Sequence, residues 1–204
     1  MLFFQIPVGD MSNFAYLIGD ENSHEAVIVD PAWEIDKILK ITEENKMKIK
    51  YILNTHSHYD HCKENERLAK LTNAKILLNE EAKIERDGVI EDGETLVLGE
   101  TKIKVIYTSG HSKDGTCFLV EGKLLTGDTL FVGECGRVDL EGSSSRELYN
   151  SLFGIILRFE DNIEVYPGHD YGKSPYSTIG VERKTNYVLK PRTIQEFVKF
   201  MNEP

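Results

Sequence analysis

The chain is predicted to be α/β, with layered β-sheets and outer helices, and three observations carry that prediction. Short runs of valine, isoleucine, leucine and threonine recur along the chain, divided by turn residues. Other stretches carry apolar residues at helical spacing. The two patterns mix throughout, without repeats, low-complexity tracts or an obvious linker, as expected for layers around one core.

In chain order, residues 2–8, 14–18 and 26–29 predict short strands, separated by Gly9-Asp10 and Gly19-Asp20-Glu21-Asn22. An amphipathic helix follows, with Ile35, Ile38 and Leu39 on one face. Residues 51–54 predict a buried strand, and residues 63–72, free of glycine and proline, predict a helix. Residues 74–78 predict another strand. Residues 95–131 are strand-rich, with hairpins expected at Gly99-Glu100 and Glu121-Gly122-Lys123. Helical spacing returns at 143–159, where Leu148, Leu152, Ile155, Ile156 and Phe159 share a face, and again at Ile194, Phe197, Val198 and Met201.

With 204 residues, 40% hydrophobic and 28% charged, the chain is long enough for one sizeable core, and 1–204 is expected to be a single domain. No apolar run reaches the roughly 18 to 20 residues that span a bilayer. The start Met1-Leu2-Phe3-Phe4-Gln5 lacks the basic flank of a signal peptide, so a cytoplasmic location without a membrane partner is expected. Cys62, Cys117 and Cys135 have no paired spacing, which argues against a disulfide framework or a thiolate zinc site and fits a reducing compartment. A formal charge of -10, from 24 basic and 34 acidic residues, disfavours nucleic acid and anionic lipid as partners and leaves a small molecule. The oligomeric state stays open, a homodimer among the options.

Five of the six histidines lie in three short patches. The first, Thr55-His56-Ser57-His58-Tyr59-Asp60-His61, packs four potential ligands into six residues on a strand-to-helix loop. Imidazole nitrogen and carboxylate oxygen suit zinc, manganese and iron. The competing reading is a polar loop that happens to be rich in histidine. Against it stand Thr108-Ser109-Gly110-His111-Ser112, Gly127-Asp128-Thr129 and Pro167-Gly168-His169-Asp170-Tyr171, each following an apolar strand. A lone histidine after a strand is more often a surface residue, and Gly-Asp is more often a turn. Loops from one edge of the sheets can nevertheless converge, and the ordered combination points to a metal centre. His24, in a polar turn, is expected to face solvent.

Through His-x-His-x-Asp-His at His56 to His61, followed in order by His111, Asp128 and His169, the chain resembles the metallo-β-lactamase fold superfamily over nearly its whole length. The resemblance implies an αββα sandwich, two mixed β-sheets flanked by helices, with a metal site at one edge. It implies that His56, His58 and His111 hold one metal, that Asp60, His61 and His169 hold a second, and that Asp128 bridges them. Two such cations lower the pKa of a shared water by several units and supply hydroxide as nucleophile. One of them also polarises a substrate carbonyl. Asp60 and Asp128 are then the catalytic carboxylates, Asp60 orienting a water or accepting its proton in a mononuclear variant.

Within the superfamily the chain is similar to the hydroxyacylglutathione hydrolase (glyoxalase II) and persulfide dioxygenase group. The supporting stretches are Gly127-Asp128-Thr129-Leu130-Phe131, Glu134-Cys135-Gly136-Arg137-Val138-Asp139, Pro167 to Tyr171, and Ser177-Thr178-Ile179-Gly180 with Glu182, Arg183 and Asn186. This implies a metal-dependent hydrolase of a small thioester such as a hydroxyacylglutathione, with two divalent ions, zinc before iron or manganese. The alternative is a persulfide dioxygenase acting on glutathione persulfide, with a single iron on His56, His111 and Asp128. Larger hydroxyacylglutathione hydrolases carry a helical C-terminal extension that helps bind glutathione, whereas a short tail follows His169 here. Those enzymes often place lysine and tyrosine after the Cys-Gly pair; Arg137 and Asp139 look more like persulfide dioxygenases and short glyoxalase II-like proteins. Arg137 is a candidate for a substrate carboxylate, its competing reading being a salt bridge with Asp139. Tyr171 and Lys173 are further candidate substrate contacts, with loop packing and solvation as the alternatives. Cys135 is expected to be structural and Cys62 to pack beneath the site. A non-enzymatic binding module predicts substituted ligands, and all seven are in place.

Overall fold

The structure, a computed structural model, describes residues 1–203. The first six strands, β1 (Leu2–Val8), β2 (Asn13–Gly19), β3 (Glu25–Val29), β4 (Lys48–Leu53), β5 (Lys75–Leu78) and β6 (Gly88–Val89), form one sheet in chain order. β1, β2 and β3 pair antiparallel, and β3 to β6 pair in parallel. Parallel neighbours need a crossover. Helix α1 (Ile35–Glu44) supplies it between β3 and β4, and α2 (Tyr59–Cys62) with α3 (Asn65–Thr72) between β4 and β5.

The second half brings β7 (Thr95–Leu98), β8 (Thr101–Tyr107), β9 (Thr116–Val120) and β10 (Lys123–Gly127), then a small separate hairpin of β11 (Leu130–Phe131) and β12 (Glu134–Cys135). After α4 (Ser145–Tyr149) come β13 (Glu164–Pro167), β14 (Ser177–Thr178), α5 (Ile179–Thr185) and α6 (Ile194–Asn202). The second sheet runs β14-β13-β10-β9-β8-β7 and is also mixed, because β10 and β13 pair in parallel.

Alternation along the strands shows how the layers stack. In β2 every residue is buried: Phe14, Tyr16 and Ile18 enter the core between the sheets, while Ala15 and Leu17 meet the core beneath α1 and α3. Strands covered on both faces read as continuous apolar runs. A third core lies on the far side of the second sheet, where Leu148, Leu152, Ile156 and Phe197 pack with Leu124 and Val165. The result is the αββα sandwich.

Two expected helices differ in detail. The helix expected over 63–72 begins at Asn65, and residues 59–62 form a separate helical turn, so Asp60 and His61 stand on helix rather than on loop. The helix expected over 143–159 is regular only through Tyr149, then widens to a π turn (Asn150–Ile155) and tightens to a 3-10 turn (Ile156–Arg158). Ser151 donates its hydroxyl to the Ser109 carbonyl at 2.6 Å within the widened turn, and Gly154 offers no side chain to hold a regular one. His24 is exposed, as expected. Among the described residues, no helix is long and apolar enough to cross a membrane.

Candidate metal centre

Strand direction gathers the site. β8 and β9 are antiparallel, as are β9 and β10, and β10 and β13 are parallel, so β8, β10 and β13 all run the same way. Their C-terminal ends present His111, Asp128 and His169 at one edge. β4 of the facing sheet delivers His56 to His61 to the same edge, where the Thr116 amide donates to the Thr55 carbonyl at 2.7 Å and joins the two sheets.

The seven predicted ligands converge. His111 Nε2 lies 3.0 Å from His58 Nδ1, and His61 Nε2 lies 3.2 Å from His169 Nε2. Asp60 Oδ2 is 3.5 Å from His61 Nε2 and 3.4 Å from His169 Nε2. Asp128 stands between, with Oδ1 3.4 Å from His61 Nε2 and Oδ2 3.5 Å from both His111 Nε2 and His169 Nε2. Ligands about 2.1 Å from one tetrahedral ion are separated by about 3.4 Å, so these spacings suit shared cations. Three overlapping sets meet that condition: His56/His58/His111, Asp60/His61/His169, and His56/His61/Asp128. Within this cluster the buried His56 Nε2 and Asp128 Oδ1 have no hydrogen-bond partner. A bound cation would satisfy both.

The outer hydrogen bonds fix which nitrogen faces inward. His111 Nδ1–H donates to the Arg137 carbonyl at 2.8 Å, and His169 Nδ1–H to the Met11 carbonyl at 3.0 Å. Thr55 Oγ1 donates its single proton to Asp30 Oδ2 at 2.7 Å, so it must accept from His56 Nδ1–H at 3.1 Å. His61 Nδ1–H donates to the same Asp30 Oδ2 at 3.1 Å. In all four rings Nε2 is thereby left to face the centre. Asn13 Nδ2 donates to Asp60 Oδ2 at 3.1 Å and steadies that carboxylate.

Asp30 is the residue that motif reading missed. It is fully buried, and it supports His61 directly and His56 through Thr55. Its signal was an acid immediately after the apolar strand β3, held at a φ of 54°. A second constraint is steric: a Cβ on Gly168 would lie 2.4 Å from Asp128 Oδ1. Only glycine lets the His169 loop approach so closely.

Charge divides the cluster into two halves. Burial holds His56 well below its ordinary pKa and lowers His58, with neighbouring imidazoles adding to both. Burial opposes charge on His61 and His169 as well, but carboxylates prevail there. Asp128 and Asp30 raise His61, and hydrogen bonds to Asp128 and Asp60 take His169 up to about 10. Burial likewise opposes ionisation of Asp60 and Asp128, yet the same imidazoles hold both below the usual carboxylate range. Without metal, this half is an internally neutralised group of ions.

The candidate substrate contacts are resolved unevenly. Arg137 makes a two-pronged salt bridge to Asp139, both bonds at 2.6 Å, and both side chains are exposed. Its carbonyl also touches the site, accepting from His111 Nδ1. Tyr171 is exposed and stacks on the His169 ring at 4.6 Å, while Lys173 is exposed without a contact to the cluster. Burial pushes the Cys135 thiol far up and the Cys62 thiol up to about 12, so neither is a ready thiolate. Cys62 points at the Ser57 and His58 carbonyls, a packing role behind the ligand loop.

Residues 8–86 and 78–169 match the model of the metallo-beta-lactamase superfamily. The chain is 33% identical over 195 residues to the probable polyketide biosynthesis zinc-dependent hydrolase PksB of Bacillus subtilis, covering 93% of this chain and 87% of that protein. It is 30% identical over 197 residues to the mitochondrial persulfide dioxygenase ETHE1 of Bos taurus, covering 93% and 76%. It is 34% identical over 175 residues to a probable hydroxyacylglutathione hydrolase of Schizosaccharomyces pombe, covering 82% and 67%. The crystal structure of ETHE1 from Myxococcus xanthus superposes with a TM-score of 0.94 at 30% identity, covering 100% of this chain and 92% of that one.

Proposed function

The chain belongs to the metallo-β-lactamase superfamily, and from that premise we propose that it is a metal-dependent hydrolase of a small thioester, of which a hydroxyacylglutathione is representative. The observation that carries this reading is the pair of complete ligand triads that meet at one carboxylate. We assign His56, His58 and His111 to one ion, Asp60, His61 and His169 to a second, and Asp128 to the bridge. Bound divalent ions supply Lewis acidity, polarising a carbonyl and lowering the pKa of water.

The remaining work falls to the chain itself. Outer bonds to Thr55, Asp30, Arg137 and Met11 hold four rings at fixed angles. Asn13 orients the Asp60 carboxylate toward the second ion, and in a mononuclear variant the same carboxylate is free to accept a proton. Phe131 closes the edge of the His169 ring at 5.8 Å and limits water on that side. A thiol has a pKa near about 8.5, so the thiolate leaves readily and asks little of a general acid. The relatives named as a zinc-dependent hydrolase and a hydroxyacylglutathione hydrolase support this reading. Three free thiols suit a reducing compartment such as the cytoplasm.

The likeness to ETHE1 favours a second reading, an iron-dependent persulfide dioxygenase acting on glutathione persulfide through His56, His111 and Asp128. Elemental analysis of protein purified without added metal separates the two, when read with oxygen uptake on glutathione persulfide and hydrolysis of S-lactoylglutathione. About two metals per chain with hydrolysis and no oxygen uptake supports the hydrolase. About one iron with oxygen consumption overturns it.

A further inference from the structure

A cleft of about 680 Å³ opens beside the ligand loop, with Ser57 and His58 on one wall. Its size is that of a small-molecule site. Loops from both sheets complete it and bring five charged side chains, Lys83 and Lys113 with Glu81, Asp114 and Glu141. Among the described residues, none of these five enters a salt bridge. One of the lining residues is also buried with unmet polarity. Ser112 is 5% exposed and its hydroxyl has no hydrogen-bond partner. Asp114, also 5% exposed, adds a carboxylate to the lining. Unmet buried polar groups are uncommon in folded proteins and call for a partner, whether water, ion or ligand.

The mixture of signs selects the ligand. A purely anionic group would meet three carboxylates, and a purely cationic one would meet two ammonium groups. A group that carries both charges, an α-amino acid headgroup, meets opposite charge at each end. We propose that this cleft is a specificity site for the zwitterionic end of the substrate's thiol carrier, with Lys83 and Lys113 taking a carboxylate and Glu81, Asp114 and Glu141 taking the ammonium. Ser112, on the lining with an unpartnered hydroxyl, adds a hydrogen bond. The proposal rests on the reading that the substrate is thiol-derived, and it holds for a thioester or a persulfide alike.

The test uses S-methylglutathione, a thioether that neither hydrolyses nor forms a persulfide, titrated calorimetrically into the metal-loaded protein. Its N-acetyl derivative lacks the ammonium, and its dimethyl ester lacks the carboxylates. Wild type is expected to bind the parent about tenfold more tightly than either derivative. The K83A/K113A variant should lose about tenfold for the parent and become indifferent to esterification. E81Q/E141Q, which keeps only Asp114 of the three acids, should lose most of its response to N-acetylation, and K83R/K113R should restore tight binding. All four positions are exposed, so these variants keep the fold. Undetectable binding of S-methylglutathione to wild type overturns the proposal, as does affinity unchanged by both derivatisations or by both double variants. Thioester hydrolysis and oxygen uptake are measured on the same preparations. Tight, charge-dependent binding with neither activity would sink the functional reading alone, and turnover with charge-indifferent binding would sink the cleft alone.

Discussion

Replacing Asp30 with asparagine tests the outer support of the centre without touching a proposed ligand. The two Asp30 oxygens receive four donors: the Thr55 amide at 2.8 Å and Asn54 Nδ2 at 3.4 Å on Oδ1, Thr55 Oγ1 at 2.7 Å and His61 Nδ1 at 3.1 Å on Oδ2. Asparagine keeps the shape but sets an NH2 where one oxygen stood, so whichever way it turns, donors face a donor. A buried donor left unmatched costs about 1–3 kcal/mol. Losing a buried charge also removes its desolvation, so about 2–3 kcal/mol is the expected net loss. For a chain of this length that lowers Tm by about 4–12 °C. The His61 ring loses its anchor and the Thr55–His56 contact is disturbed, so metal affinity should fall about 10–100-fold. Differential scanning calorimetry of metal-free protein reads the first effect, and chelator competition reads the second. Thr55→Val, which cuts only the path to His56, should cost less on both. An Asp30→Asn protein with metal affinity within about twofold of wild type and Tm within about 2 °C would refute the reasoning.

Three further predictions follow from the same geometry. His169→Ala should lower metal content from about two ions per chain to about one if the centre is dinuclear, and elemental analysis showing content unchanged would favour the one-iron reading. With His169 raised from 6.5 to about 10, its contribution to metal-free stability is full below about pH 6.5 and is lost as pH rises through about 10. Metal must displace that proton and the one on His61, so affinity at the Asp60/His61/His169 set should rise up to about tenfold per pH unit for each proton released between pH 7 and 9. His56 and His58, held low, have no proton to release above pH 7. Metal titration in buffers of different ionisation enthalpy counts the protons, and release that does not exceed the buffer baseline refutes this account. Gly168→Ala should push Asp128 aside and cost at least about tenfold in metal affinity with an unchanged circular dichroism spectrum; normal loading would show that the loop can give way.

The seven ligands were legible because each follows an apolar strand, and a strand end is a place that sequence can mark. Their meeting at one edge was legible only as an expectation, since it depends on β10 and β13 being parallel across an intervening helical segment. Asp30 escaped because an acid before proline reads as a turn. Its role comes from pairing: β3 and β4 are parallel with Val29 opposite Leu53, so the residues just beyond, Asp30 and Asn54-Thr55, are set side by side. No local pattern carries that neighbourhood. Arg137 held two readings on sequence because a guanidinium two residues from a carboxylate suits either, and the structure shows the exposed pair with Asp139. The regular helix expected over 143–159 failed because apolar spacing registers a buried face and not the pitch of the turns that present it.

The position of the centre bears on what holds the protein together. Asp60 and His61 come from the first sheet, and His111, Asp128 and His169 from the second, so a bound ion ties the layers. The metal-free protein already has such a tie, because the raised His61 lies 3.4 Å from Asp128 and the raised His169 lies 3.4 Å from Asp60, each pair spanning the sheets. Protons stand in for cations at this edge. Three separate apolar cores do the remaining work, one between the sheets and one beneath each helical layer. A zinc finger, whose core is too small to fold alone, unfolds when its metal leaves. Here three apolar cores are large enough to carry the fold, and a bound metal would add its binding free energy to them. The ligand loops can therefore carry fixed geometry and repelling lone pairs, because the sheets beneath them are held by their own cores.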